Sequence, residues 1–237
     1  MSLKCANLQS VLAHFIYKKK CIMDLMWVKT NRFVKWIFRK YIWDIKNSEN
    51  KIYLTFDDGP IPEVTEWVLE TLKQHEVKAT FFCIGDNIKK HPAIFQKVIE
   101  SGHSIGNHTF NHLKGWNSRK EEYIKNTLLC EEAINEKTKN LNLKTKIFRP
   151  PYGKIKPSQS KVLRKMGYKI IMWDVLSVDY DKEISPEQCL ENIIKNTVPG
   201  SIIACHDSLK AFKNLEYALP KAIEYLKNKG FVFETIH

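Results

Sequence analysis

Two adjacent aspartates, Asp57 and Asp58, stand directly after an apolar run, Lys51–Phe56, that has the composition of a buried strand. Neighbouring residues on a strand point to opposite faces, so the two carboxylates can take separate chemical roles. Gly59 and Pro60 follow at once and break the strand, which lets the chain turn at the edge of a sheet. Because Asp-Gly pairs are common in turns, a solvated acidic turn is the alternative when this segment is considered alone.

Two histidines four residues apart, His108 and His112, follow a later strand-like run. If the segment is helical, their imidazoles lie on one face and are close enough to share a metal ion. Together with Asp58 they make a set of two imidazoles and one carboxylate, which is common at catalytic zinc sites and leaves a coordination position for water. The spacing alone is weak evidence, because ordinary surface or core histidines also occur at such spacings.

Further reactive residue types follow the later strands. Arg149 is permanently charged and can hold a carboxylate in a fixed fork, and the stiff Pro-Pro loop after it suits a backbone N–H aimed at a developing oxyanion. His206 ends another strand-like run and is a candidate general acid if a carboxylate such as Asp179 orients it. All these residues fall at the C-terminal ends of strands, where α/β active sites form, and this coincidence favours a catalytic site.

The elements that would position these residues alternate along the chain from residue 51 onward. Short apolar runs predict strands over Lys51–Phe56, Ala79–Ile84, His103–Gly106, Lys146–Arg149, Tyr168–Val175, Ser201–Cys205 and Phe231–Thr235. Amphipathic periodicity predicts helices over Glu63–His75, Pro92–Ser101, Arg119–Lys137, Pro157–Met166, Pro186–Asn196 and Leu215–Asn228. Six βα units and a closing strand predict a parallel sheet with helices outside, either a barrel or a doubly wound sheet.

The charge of the chain is uneven along its length. The 237 residues carry a net charge of +12, and residues 1–50 hold ten Lys or Arg against three acids. This shift, with the polar run Lys46–Asn50, divides the chain into a basic, aromatic-rich extension, 1–50, and a catalytic domain, 51–237. No zinc finger or aromatic-basic RNA motif accompanies the charge, so we expect no nucleic-acid partner.

The extension raises the question of membrane contact. Arg32–Ile45 mixes aromatic and basic residues, and this predicts either an interfacial membrane helix or a helix that plugs the base of a barrel. The apolar run Val11–Tyr17 is short, is followed by three lysines and lacks a small-residue cleavage site, so it predicts neither a signal peptide nor a membrane span. Met23 and Met26 are alternative start sites. We therefore expect a cytoplasmic or membrane-associated protein, with its oligomeric state open.

Taken together, the motifs resemble those of the polysaccharide deacetylase family, also called carbohydrate esterase family 4. In order and approximate spacing they are Thr55–Gly59, His108–His112, Arg149–Gly153 and the pair His206–Asp207. The resemblance spans about residues 51–237 and implies a distorted (β/α)7 barrel that hydrolyses acetyl groups on polysaccharides. It implies an N-acetylated glycan of peptidoglycan or chitin type as substrate. An O-acetyl esterase acting on acetylated xylan and an inactive carbohydrate-binding protein are the alternatives.

The resemblance also implies a role for each site residue. Three side chains would bind a divalent metal ion, most often zinc, with cobalt or nickel as alternatives: Asp58, His108 and His112. Five residues would move protons or hold the reacting groups: Asp57 as general base, Arg149 orienting it, the Tyr152 amide at the oxyanion, and Asp179 positioning the general acid His206. The residues alone did not distinguish which of the two adjacent aspartates is the base.

Three positions depart from the family's pattern. Where the family has Asp-x-x-Asp-Trp, this chain has Leu176 at the first acid and Tyr180 at the tryptophan, which alters a wall that would contact sugar. Two residues before His206, Ala204 replaces a leucine that would line the acetyl-methyl pocket, and this predicts a shallower, wider pocket with weaker acetyl selectivity. The metal and base positions are intact, so hydrolysis is still expected.

Overall fold

A curled parallel sheet forms the centre of the protein, whose computed structural model describes residues 28–138 and 146–237. Its strands are β1 (Lys51–Asp57), β2 (Thr80–Cys83), β3 (Ser104–Asn107), β4 (Ile147–Phe148), β5 (Lys169–Ile170), β6 (Val175–Leu176) and β7 (Ile202–His206). They lie in the order β5-β4-β3-β2-β1-β7-β6, and each pairs in parallel with its neighbours. A short strand, β8 (Val232–Phe233), pairs with the beginning of β1. With helices outside, this is the predicted distorted (β/α)7 barrel.

Helices cover the outer side of the sheet. They are α1 (Arg32–Ile37), α2 (Val64–Gln74), α3 (Gly85–Lys90), α4 (Pro92–Glu100), α5 (Lys120–Thr138), α6 (Pro157–Lys165), α7 (Pro186–Asn196) and α8 (Phe212–Asn228). The apolar positions of α2, Val68 and Leu72, are fully buried in one cluster with Phe56 and Phe81 of the sheet. Burying a side chain of this size contributes roughly 1.5–3 kcal/mol. Within the described ranges, no helix combines the length and the apolar character needed to cross a bilayer.

The predicted elements are present with two differences. Helix α3 was not predicted, because its six residues are too few to show a period. The strand predicted over Tyr168–Val175 is divided into β5 and β6. The residues between them turn to another partner: the Met172 N–H donates to the Ile42 carbonyl, and the Ile42 N–H donates to the Ile170 carbonyl. A segment distant in sequence therefore interrupts this strand.

That segment belongs to the basic extension and joins the two edges of the sheet. Lys29 forms a bridge with Val175 on the β6 side, and Ile42 forms one with Ile171 on the β5 side. The helix considered for Arg32–Ile45 is confined to α1, and the residues after it are extended or turned. The remaining predictions for the extension, the Val11–Tyr17 run and the alternative start sites, lie outside the described residues.

Candidate active site

A cleft of about 540 Å³ opens at the C-terminal edge of the sheet. Its lining includes six of the predicted site residues: Asp57, Asp58, His108, His112, Tyr152 and His206. Arg149 and Asp179 are fully buried and contact members of this set. The fold therefore brings together all eight residues, which are spread over 150 positions of sequence, because parallel strands end at one shared edge.

The three predicted metal ligands converge on one point of the cleft. Donor atoms of Asp58, His108 and His112 all lie within 4.8 Å of one another. Asp58 Oδ1 is 3.2 Å from His112 Nε2 and 3.7 Å from His108 Nε2. His108 Nδ1 donates a hydrogen bond of 2.8 Å to the Arg149 carbonyl, which in the neutral ring leaves Nε2 as the lone-pair donor. A backbone carbonyl behind a histidine is a common support for a metal ligand.

The electrostatics of this group fit a divalent cation. Asp58 Oδ1 is buried, and among the described residues it has no hydrogen-bond partner of normal geometry. Burial acts to raise the pKa of Asp58, but His112 and the imidazoles of His206 and His108 hold it well below its usual range. Burial lowers the pKa of His108 to about 4, so this imidazole is neutral at neutral pH. An ionised carboxylate and a neutral imidazole are the protonation states that metal binding requires.

The loop that carries the two histidines is not helical. A helical turn is therefore not what places their imidazoles side by side. Thr109 and His112 have positive φ angles of 66° and 53°. Asn126 Oδ1 accepts hydrogen bonds from the N–H groups of Phe110 and Asn111, at 2.8 and 3.0 Å. A side-chain acceptor on a neighbouring helix, rather than a helical turn, brings the two imidazole centroids to 5.1 Å.

Asp57 is held from behind by Arg149. The guanidinium donates from Nη1 to Asp57 Oδ1 at 2.7 Å and to Thr55 Oγ1 at 2.6 Å, and from Nη2 to the Met172 carbonyl at 2.9 Å. These bonds fix the plane of the guanidinium and, through it, the carboxylate. The implied contact between Arg149 and Asp57 is present. Thr55, which has the same inward orientation on β1, was given no role from sequence.

His206 is bound on two sides by one carboxylate. Its Nδ1–H donates to Asp179 Oδ1 and its backbone N–H donates to Asp179 Oδ2, both at 2.7 Å. Burial acts to lower the pKa of His206, but the charge and hydrogen bond of Asp179 raise it to about 10. The imidazole is therefore protonated at neutral pH, as a general acid must be before it acts.

Tyr152 lines the cleft with an unusual backbone conformation. Its φ of 59° turns the peptide within the short Pro151–Gly153 helical turn. The ring is 56 % exposed and contacts that of His112, with centroids 4.6 Å apart. Its N–H makes no hydrogen bond to another described residue. Since Tyr152 lines the cleft, its N–H is the candidate oxyanion donor that the family resemblance implies.

The three departures from the family pattern occupy different places. Leu176 and Tyr180 both line the cleft, and the Tyr180 ring meets His206 edge-on with centroids 5.0 Å apart. Ala204 is fully buried and is the parallel register partner of Leu176. Leu176, on the neighbouring strand, thus contributes an apolar side chain to the lining of the cleft. The wider pocket predicted from Ala204 does not follow from that residue alone.

Asp207 is a site residue that sequence reasoning left without a role. Its Oδ1 accepts from the Gly59 N–H at 2.9 Å, its Oδ2 accepts from Thr65 Oγ1 at 2.7 Å, and its own N–H donates to the Asp57 carbonyl at 3.1 Å. Burial raises the pKa of Asp207 to about 8. A Cβ on Gly59 would lie 1.9 Å from Asp207 Oδ2, so only glycine fits. The turn after β1 is thereby tied to the strand of His206.

Two further supports could not have been found from the sequence. Asn87, on α3, donates from Nδ2 to the Asp58 carbonyl at 2.7 Å, and Thr65 accepts from the Ile61 N–H at 2.9 Å. Asp207 directly follows the motif histidine His206, and this position could have marked it as a site residue. Asn87 and Thr65 lie in ordinary polar contexts with no such indication.

Comparisons with known proteins agree with this geometry. The sequence profile described as polysaccharide deacetylase matches residues 44–171. A peptidoglycan-N-acetylglucosamine deacetylase of Bacillus cereus is 37 % identical over 204 residues, covering 85 % of this chain and 72 % of the relative. A chitooligosaccharide deacetylase of Azorhizobium caulinodans is 37 % identical over 166 residues, covering 69 % and 76 %.

Among solved structures, the similarity extends to the fold. The crystal structure of a peptidoglycan N-acetylglucosamine deacetylase, in complex with 4-naphthalen-1-yl-N-oxidanyl-benzamide, superposes with a TM-score of 0.79. It is 35 % identical in sequence, and the match covers 85 % of this chain and 94 % of that one. The profile match covers the strands that supply Asp57, Asp58, His108, His112 and Arg149. The protein belongs to the polysaccharide deacetylase family.

Proposed function

We propose that this protein is a metal-dependent hydrolase that removes acetyl groups from an N-acetylated glycan of the peptidoglycan or chitin type. One observation carries the proposal: an aspartate held by arginine and a protonated histidine face the same cleft as a convergent Asp-His-His group. The names of the two relatives, which are deacetylases of peptidoglycan and of chitooligosaccharides, support the substrate class.

The metal ion would be held by Asp58, His108 and His112. Zinc suits two imidazoles and one carboxylate, and cobalt or nickel can use the same ligands. Bound there, such a cation lowers the pKa of a water molecule toward about 7 and polarises the acetyl carbonyl. Arg149 contributes indirectly, because its carbonyl fixes the ring orientation of His108.

Each remaining residue has a defined task in the hydrolysis. Asp57, kept in place by Arg149, takes the proton of the attacking water. The Tyr152 N–H donates to the oxygen on which negative charge develops, a contact typically worth about 3–4 kcal/mol of the barrier. His206, protonated and oriented by Asp179, gives a proton to the departing nitrogen, so that acetate and a free amine are released.

Two alternatives use the same cleft. An O-acetyl esterase acting on acetylated xylan needs the same water activation but has an alcohol as leaving group. Because an alcohol leaving group needs protonation less than an amine does, His206 would be less important, yet this residue is held by two hydrogen bonds that it donates to the Asp179 carboxylate. An inactive carbohydrate-binding protein would not require Asp57 and its arginine support, both of which are present.

The decisive experiment measures acetate release by the full chain after removal of metal and reloading with zinc. The substrates are N-acetylglucosamine oligomers, peptidoglycan fragments and acetylated xylan. We expect zinc-dependent release from at least one N-acetylated substrate, and loss of release after chelation. The proposal is wrong if acetate comes only from xylan, or if no N-acetylated glycan is hydrolysed by the zinc-loaded protein.

A further inference from the structure

The basic extension displays large apolar side chains to solvent. We call Phe33, Trp36, Ile37 and Phe38 the aromatic patch; their side chains are 64 %, 67 %, 50 % and 44 % exposed. The rings of Phe33 and Trp36 stack with centroids 5.8 Å apart. Single exposed apolar residues are ordinary, but a contiguous group of this size marks an interaction surface.

The orientation of α1 is fixed by its opposite side. Phe33, Trp36 and Ile37 have the i, i+3, i+4 spacing of one helical face. Val34 packs against a buried cluster of the barrel, and Lys35 Nζ donates to Asp44 at 2.6 Å and to Asp174 at 2.5 Å. The helix is therefore anchored through Val34 and Lys35, and it holds the aromatic patch outward. Little ordering would accompany binding through such a preformed face.

The segment that carries the aromatic patch is rich in cationic side chains, of which some are paired and others are not. Lys29 and Lys35 are used by the buried Asp174. Arg32, Arg39 and Lys40 are exposed, and none of them makes an ion pair with another described residue. In the part of the chain that the structure describes, three unpaired cations thus lie next to the aromatic patch in the sequence. This combination of apolar rings and surrounding bases is typical of a surface that contacts membranes.

We propose that the aromatic patch binds the surface of an anionic lipid bilayer. Aromatic rings enter the boundary between headgroups and acyl chains, while the bordering Arg and Lys side chains attract anionic headgroups. A second copy of the chain fits less well, since a symmetric contact would bring two sets of three unpaired cations together. A neutral glycan could stack on the rings but would leave those cations without a partner.

The bilayer contact is independent of the proposed hydrolysis. None of the four patch residues lines the cleft, and none contacts a residue assigned to the metal or to proton transfer. Substitutions in the aromatic patch should therefore leave acetate release from a soluble oligomer unchanged. This separation allows failure of the membrane proposal to be distinguished from failure of the proposed activity.

The test is flotation of the full chain with lipid vesicles. The parent is compared on vesicles of phosphatidylglycerol mixed with phosphatidylcholine and on vesicles of phosphatidylcholine alone. The double variant Phe33→Ser/Trp36→Ser should bind the anionic vesicles at least roughly tenfold more weakly. Trp116→Ser is the matched control, because that tryptophan is 57 % exposed elsewhere on the surface. Arg39→Gln/Lys40→Gln should weaken binding and reduce its sensitivity to salt.

A fluorescence measurement on the parent and on one conservative variant reduces the dependence on variant folding. Brominated lipid in anionic vesicles should quench part of the tryptophan fluorescence, and Trp36→Phe should lose that part. The proposal is overturned if the parent binds neutral and anionic vesicles equally or neither, or if the patch variant floats like the parent. It is also overturned if the variant instead converts a dimer to a monomer in sedimentation, or selectively loses binding to an insoluble N-acetylated glycan.

Discussion

Two buried aspartates on the same barrel illustrate how similar side chains acquire different functions. Asp57 is 3 % exposed and Asp174 is 1 % exposed, and each is paired with a cationic side chain. Asp57 receives its side-chain hydrogen bond from Arg149 and lines the cleft. Asp174 has both oxygens occupied, Oδ1 by Lys35 and Oδ2 by Lys29 and Ser201, each at 2.5 Å.

The two carboxylates differ in how many of their oxygens already accept hydrogen bonds from other parts of the chain. Both oxygens of Asp174 accept hydrogen bonds, from Lys29 and Lys35 of the N-terminal segment and from Ser201, which directly precedes β7. This carboxylate therefore joins the extension to the barrel. Asp57 is supported by Arg149 from one side and lines the cleft, which suits its proposed role as general base. Burial with a cation therefore identifies a constrained carboxylate, and access to the cleft identifies a reactive one.

The largest expected effect separates the two aspartates directly. Asp57→Asn keeps an oxygen acceptor for Arg149 but removes the base, so kcat should fall by about 10²–10⁴-fold. Bound zinc should remain stoichiometric, because the three metal ligands are unchanged. The measurements are acetate release per folded molecule and metal content. Turnover close to that of the parent would exclude Asp57 as the base.

An intermediate effect is expected at the acid. Asp179→Asn removes the charge that raises the pKa of His206 to about 10, so the pKa of that imidazole should fall. The variant then loses its protonated acid at a lower pH than the parent, and the alkaline limb of the kcat profile should move toward neutral pH. Loss of orientation should also reduce kcat by roughly 10–100-fold. An alkaline limb that stays at the parent's pH would contradict the role of Asp179.

The smallest effect on turnover is expected at Asp174. Its replacement by Asn leaves Lys29 without a charged partner among the described residues and leaves Lys35 with Asp44 alone, and should lower the free energy of unfolding by about 1–3 kcal/mol. Although burial acts against it, the bonds from Lys29, Lys35 and Ser201 lower the pKa of Asp174. The stability from this group is therefore present above the ordinary carboxyl pKa and is lost as pH falls through the folded-state value.

Denaturant unfolding at several pH values checks this last expectation. The parent should lose more stability on acidification than Asp174→Asn, and kcat per folded molecule should be the same in both proteins at neutral pH. A large loss of kcat in Asp174→Asn would contradict the purely structural role given to Asp174.

The local sequence was sufficient for much of the architecture because the periodicities of strands and helices are short-range properties. The turn after β1 illustrates this: Asp57, Asp58 and Gly59 could be placed at a strand end from their neighbours alone. The prediction from sequence was wrong where pairing between distant segments determines the secondary structure. Ile42 divides the predicted strand over Tyr168–Val175, and its partners are more than a hundred residues away.

The order and spacing of the motifs carried the resemblance to the family and, through it, the prediction of the barrel and of eight site residues, of which six line the cleft while Arg149 and Asp179 are buried behind it. Only the tertiary structure decided that the histidine loop is not helical, that Asp207 joins the turn after β1 to the strand of His206, and that Leu176 lines the cleft. These facts depend on hydrogen bonds and register between distant strands. Such pairings are set by which segments the fold places side by side, and no single stretch of sequence contains that information.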